Sequence, residues 1–138
     1  MDMKKLTLSA LLLCFGVFAC RASGTPTLPA TSLADTSWAL VSYGQPGSPT
    51  TVPDDRNITL NFRGLGGYDG STGLNHYGGG SRFEGNKLNI QRLTRTQLTD
   101  PVGDAYLSLL MEAETLEYRT EELIINCRGG EKLVFRPA

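Results

Sequence analysis

Histidine, cysteine and net charge are all in short supply. The chain of 138 residues carries one histidine, His76, and three cysteines. A single imidazole excludes multi-histidine metal sites and leaves any Ser-His-Asp arrangement with one candidate base. Three cysteines are too few for a dense disulfide framework. Thirteen Lys+Arg stand against 14 Asp+Glu, a formal net charge of −1, so the surplus of positive charge that holds polynucleotides is missing and no nucleic-acid partner is expected. No apolar run is long enough to span a bilayer comfortably. What is present, 40% hydrophobic and 20% charged residues, is apolar enough to build the core of one domain and excludes wholesale disorder.

The N-terminal segment reads as an export signal. Lys4 and Lys5 precede an apolar stretch from Leu6 to Phe18, of the length of a signal-peptide hydrophobic region. It ends Val17-Phe18-Ala19-Cys20, which resembles a bacterial lipobox, with the large Phe18 as a departure from the usual small residue. The expectation is a lipoprotein signal over residues 1–19 and lipidation of Cys20; plain secretory cleavage is the alternative. Loss of residues 1–19 would leave 11 basic against 13 acidic side chains, so membrane attachment would rest on the lipid and not on a polybasic patch. Arg21 after the cysteine favours the outer membrane, with the domain facing the periplasm. Residues 20–32, small, polar and interrupted by Pro26 and Pro29, read as a flexible tether. The folded domain is expected over 33–138.

Within that domain short alternations dominate. Trp38, Leu40 and Ser42 share one face of a strand, and Ile58, Leu60 and Phe62 share another. Gly44 to Asp55 contains three prolines and reads as a loop. Gly85-Asn86 is a two-residue turn between Phe83-Glu84 and Lys87 to Ile90. Leu123, Ile125 and Cys127 alternate, Arg128 to Glu131 turns the chain, and Leu133 and Phe135 return. Asp100-Pro101 marks a helix start. The helix stripe expected to follow is Val102, Ala105, Tyr106, Leu109, Leu110 and Ala113. The glutamates from Glu112 to Glu122 read as a solvated face and turn. The fold class expected is α+β, mainly β: a strongly curved, barrel-like antiparallel sheet with one α-helix packed on it.

These segments resemble, in order and spacing, the META domain family, whose HslJ-type members are heat-shock lipoproteins. Leu33 to Leu40 is similar to the family's opening "L-x-G-T-x-W-x-L", and Gly70-Ser71-Thr72-Gly73-Leu74-Asn75-His76-Tyr77 to its central "G-x-x-G-C-N-x-[FY]". Leu74 and Asp100 stand where the family often carries cysteines, so this chain would lack that thiol pair. The resemblance implies a cell-envelope protein associated with stress response and, in one branch, antibiotic tolerance.

Candidate chemistry is sparse. Gly64 to Gly70 lacks the Gly-Lys-Ser/Thr of a phosphate loop and reads as turns and strand bends. Asp54, Asp55 and Asp69 do not have the spacing of a calcium loop. No metal site and no cofactor is expected. His76 with Asp69 or Ser71 is the one conceivable catalytic grouping, against a surface histidine. Asn75 is expected to hold a bend between two strands, and Cys127 to be a buried core thiol. The reading is therefore a non-catalytic binding or scaffold domain, expected to be a monomer, attached to the membrane through its N-terminal lipid and meeting an envelope protein or a small ligand. For a ligand at the open end of the sheet, Trp38, Tyr68, Asn75 and Tyr77 are the candidate contacts, with core packing as the alternative for the aromatic residues.

Overall fold

The computed structural model describes residues 30–138 apart from residues 65 and 120. The export signal, Cys20 and most of the tether lie outside the described residues. The elements run β1 (Ser37–Gly44), β2 (Thr50–Thr51), β3 (Thr59–Phe62), β4 (Gly67–Ser71), β5 (His76–Glu84), β6 (Lys87–Arg95), α1 (Pro101–Met111), β7 (Ala113–Arg119), β8 (Glu122–Cys127) and β9 (Lys132–Pro137). One-turn 3-10 helices cover Ala30–Leu33 and Asp54–Arg56.

Period-two alternation sets the inward faces. Trp38 and Leu40 on β1, Leu60 and Phe62 on β3, Leu88 and Ile90 on β6, Leu123, Ile125 and Cys127 on β8, and Leu133 and Phe135 on β9 are all buried. The strands pair antiparallel in the order β1-β3-β4-β5-β6-β7-β8-β9, and β9 pairs back onto β1 from Trp38–Pro137 to Gly44–Lys132. The sheet is thus closed into an eight-stranded barrel, to which β2 adds a two-residue extension on β1. Closure through β9 and β1 removes most of the exposed sheet edge that invites association. The ladder is thinnest between β6 and β7, where Lys87 and Thr115 are the one residue pair.

Helix α1 begins as the sequence predicts. Asp100 accepts a hydrogen bond from the Gly103 amide and Pro101 occupies the first turn. Its buried face is Gly103, Tyr106, Leu107 and Leu110. That departs from the expected stripe: Leu107 replaces Ala105 and Leu109, which are half-buried. The helix also stops at Met111, and Ala113 opens β7. The region from Glu112 to Glu122, expected as a solvated face and turn, keeps Glu112, Glu114 and Glu121 exposed and Glu121 in a turn, but its middle is a strand that buries Ala113 and Leu116. A register shift between Ala113 and Thr115 places two residues between these buried positions and breaks the period of two.

The glycine-rich segment has the expected turn at Gly64 and bend at Gly66, and is then a strand from Gly67 to Ser71. Its glycines make space. A Cβ on Gly70 would lie 2.6 Å from the Tyr77 hydroxyl and would run into the Thr59 carbonyl; one on Gly79 would lie 2.8 Å from the Tyr68 hydroxyl. Gly70→Ala is expected to destabilise the fold by about 2–3 kcal/mol through overpacking. Gly47→Ala, at a site with nothing within 4 Å, should be near neutral. Urea unfolding of the two variants checks this, and equal midpoints would contradict the packing described.

Candidate functional site

The four residues expected to meet a ligand lie in the core. Trp38, Tyr68, Asn75 and Tyr77 are 3, 3, 1 and 4% exposed, so none lines an open mouth. Aromatic rings instead form a continuous file. Tyr68 lies 6.2 Å from Tyr77, Tyr77 5.8 Å from Tyr106, and Tyr106 6.2 Å from Phe135, measured between ring centres. Trp38 stands edge-on to Tyr118 at 5.5 Å and donates its indole N–H to Thr36 Oγ1 at 2.8 Å.

The hydroxyls in this file are arranged unequally. Tyr77 donates to the Thr59 carbonyl at 2.5 Å, and its oxygen is 2.7 Å from that of Tyr106. The buried Tyr68 hydroxyl has no partner among the described residues. Burial pushes the Tyr68 phenol up to about 12 and holds Tyr77 and Tyr106 above the ordinary tyrosine range as well, because the charged form loses its water.

A second buried cluster joins three segments that are distant in sequence. Asp100 is fully buried. Its Oδ1 accepts from the Gly103 amide at 3.0 Å and from the Arg56 guanidinium, and its Oδ2 accepts from Thr72 Oγ1 at 2.6 Å. Arg56 Nε also donates to the Thr72 carbonyl at 3.3 Å. Beside it, Asn75 Nδ2 donates to the Leu98 carbonyl at 2.9 Å, while its Oδ1 accepts from the Leu98 amide at 2.8 Å and from Thr96 Oγ1 at 2.9 Å. Asn75 thereby fastens the β4–β5 turn to the β6–α1 loop. Sequence reasoning located Asp100 as a helix cap and Asn75 as a structural amide, and missed Arg56, which ends the 3-10 turn after the proline-rich loop, 44 residues before its partner.

The possible catalytic grouping is brought together only in part. Ser71 and His76 are direct cross-strand partners on β4 and β5. Asp69, however, is held by Arg63 at 2.7 and 3.0 Å and by Asn61 at 2.8 Å. The Arg63 guanidinium holds the Asp69 carboxyl below its ordinary range. Among the described residues the His76 side chain is exposed and its ring makes no hydrogen bond. Cys127 is buried and its Sγ donates to the Leu109 carbonyl at 3.2 Å. Desolvation, with Glu131 and Glu112 nearby, pushes this thiol up to about 11, which makes it unreactive at neutral pH. No group of three His, Cys, Asp or Glu among the described residues is placed to hold a metal ion.

Concavities lie on the outside of the barrel. One groove of about 420 Å³ is lined by Arg82, Lys87, Asn89, Gln91, Glu114 and Arg128, and a second of about 320 Å³ lies between β6 and α1.

The META domain family model matches residues 31–138. The chain belongs to the META domain family. No curated protein matches it. Among solved structures, an NMR structure of a protein from Burkholderia xenovorans is 26% identical, with a TM-score of 0.70, over 84% of this chain and 92% of that one. A DUF4847-family protein from Bacteroides vulgatus is 17% identical with a TM-score of 0.64, over 75% of this chain and 93% of that one. The latter likeness shows the fold alone. In this META domain the two positions at which the family resemblance places cysteines have diverged in character: Leu74 is 51% exposed, whereas Asp100 is the buried carboxylate at the centre of the polar cluster.

Asp100→Ala would leave the Gly103 amide, the Thr72 hydroxyl and the Arg56 guanidinium without their acceptor. The expected loss is about 2–3 kcal/mol, moderated because Arg56 retains contact with water. Asp100→Asn should lose less, and thermal unfolding of both variants measures the difference. The tyrosines set the alkaline limit. Their folded-state pKa values are raised, so the stability they contribute is fully present below about pH 10 and falls as the unfolded state ionises first. With three such groups the slope is about 4 kcal/mol per pH unit between about pH 10 and 12. Tyrosinate absorbance should rise together with loss of near-ultraviolet circular dichroism, and early titration of all three phenols in the folded state would contradict their burial.

Proposed function

We propose that this META domain protein is a non-catalytic, lipid-anchored protein of the cell envelope, outer-membrane bound and facing the periplasm, whose barrel acts as a binding or scaffold domain. The observation that carries the binding reading is the filled interior. Rings from Tyr68 to Phe135 and the residues of α1 occupy the space a small ligand would need, so recognition falls to the outer surface. The alternative, a small ligand in the open end of the sheet, is left without its contact residues, since Trp38, Tyr68, Asn75 and Tyr77 are all under 5% exposed.

The non-catalytic reading rests on the commitment of Asp69 to Arg63 and Asn61, which leaves His76 without an orienting carboxylate. The anchor rests on the charged, apolar and small-residue pattern that ends at Cys20. The role in envelope stress or antibiotic tolerance rests on the resemblance to HslJ-type members.

Intact-protein mass spectrometry of the membrane fraction tests the anchor. A diacyl or triacyl mass on a chain beginning at Cys20, absent in Cys20→Ala, is the expected result. A soluble, unlipidated mass would overturn the anchored reading.

A further inference from the structure

The ladder of the barrel is nearly interrupted at one place. Strand β6 has nine residues and β7 seven, yet they share the one pair Lys87–Thr115. The cause lies in the chain before β7. Residues 101–111 are helical, and the carbonyl of Glu112 turns aside to accept from the Arg128 amide at 3.0 Å. Among the described residues no strand therefore lies opposite β6 beyond its first residues.

The orientation of the free edge follows from the hydrogen bonds that are made. The Asn86 carbonyl accepts from the Leu116 amide across the seam. Backbone groups alternate in direction along an antiparallel strand, so Leu88 and Ile90 aim theirs the same way, while Asn89 and Gln91 serve β5. Ile90 thus aims an N–H and a C=O at a position that no strand of the described residues fills, with its side chain buried in the core.

The groove of about 420 Å³ opens beside this gap, lined on β6 by Lys87, Leu88, Asn89 and Gln91 and on β7 by Ala113 and Glu114. Leu88 and Ala113, both buried, lie at its base. Further along β6, the second groove adds apolar surface from Leu93, Leu107 and the 40% exposed Met111. Arg82, Lys87 and Arg128 outnumber Glu84 and Glu114 around the first groove. Among the described residues Arg82 and Lys87 form no ion pair, and Arg128 has only a 3.9 Å contact with Glu112.

An edge that lacks main-chain partners is completed by an extended chain, and cations without carboxylate partners favour acidic side chains on it. We propose that the β6–β7 seam docks an extended acidic peptide segment of a partner protein, which adds a short strand to the free edge of β6. This rests on the reading of the barrel as a binding domain.

The test is nuclear magnetic resonance of the ¹⁵N-labelled full chain in detergent, titrated with three pools of blocked random octapeptides that carry fixed Glu, Lys or Gln residues. The Glu pool is expected to shift the amides of Leu88 to Gln91 and Ala113 to Thr115 and to slow hydrogen exchange at Ile90. Arg82→Glu combined with Arg128→Glu should weaken this binding about tenfold, whereas Arg136→Glu, outside the groove, should not. Silence at the seam with all pools, equal response to all pools, or shifts that follow protein concentration alone and so report a second copy would each overturn the proposal. Shifts gathered on a different surface would overturn the seam and leave the binding-domain reading intact. An unlipidated Cys20 would remove the envelope reading without touching the seam.

Discussion

The carboxylate of Asp100 is the constraint on which the rest of the barrel depends. It is fully buried, and every partner it has comes from a different part of the chain: a loop guanidinium, a turn hydroxyl and the first turn of a helix. A buried charge is tolerated only when it is paired and hydrogen-bonded. The three segments are consequently obliged to meet at one point. That meeting fixes where α1 starts, and the start of α1 decides that Tyr106 reaches the Tyr77 hydroxyl. The aromatic file inside the barrel is thus positioned from its polar margin.

Inside, shape is settled by pairs of unequal residues. Tyrosine rings are large, and a barrel of eight strands leaves an interior that side chains must fill without excess. Gly70 and Gly79 stand beneath the hydroxyls of Tyr77 and Tyr68, so that bulk on one strand is met by its absence on the next. The opposite strand accommodates the same crowding: the register shifts between Gly78 and Gly80, and Arg92 takes a positive φ of 52°. Glycines that resemble a ligand cradle in the sequence are, in the fold, the space occupied by tyrosine.

Much of the fold is legible in the sequence wherever local physics acts alone. The alternation of Leu123, Ile125 and Cys127, the Gly85-Asn86 turn and the Asp100-Pro101 helix start all correspond to elements of the structure. Strand β7 is not legible, because its register shift conceals the alternation and its glutamates dominate the composition. Strand β4 is hidden by glycines whose purpose is visible only once Tyr77 is in place. Aromatic rings serve cores and binding sites alike, so the sequence of Trp38, Tyr68 and Tyr77 does not separate the two and only tertiary closure does. The Arg56–Asp100 pair left no signal, since nothing local relates a proline-rich loop to a helix cap.

The pairing of β9 with β1 has a consequence for the order of events during synthesis. The strand that completes the circle is the last to be made, and its far end, Pro137, pairs with Trp38 near the start of the domain. No N-terminal portion of the chain can close the ring, and the contact that closes it spans almost the whole domain, the kind of long-range pairing that makes folding slow. Until residues 132–137 are in place, the sheet lacks the strand that joins β8 to β1 and stays an open ribbon with two edges.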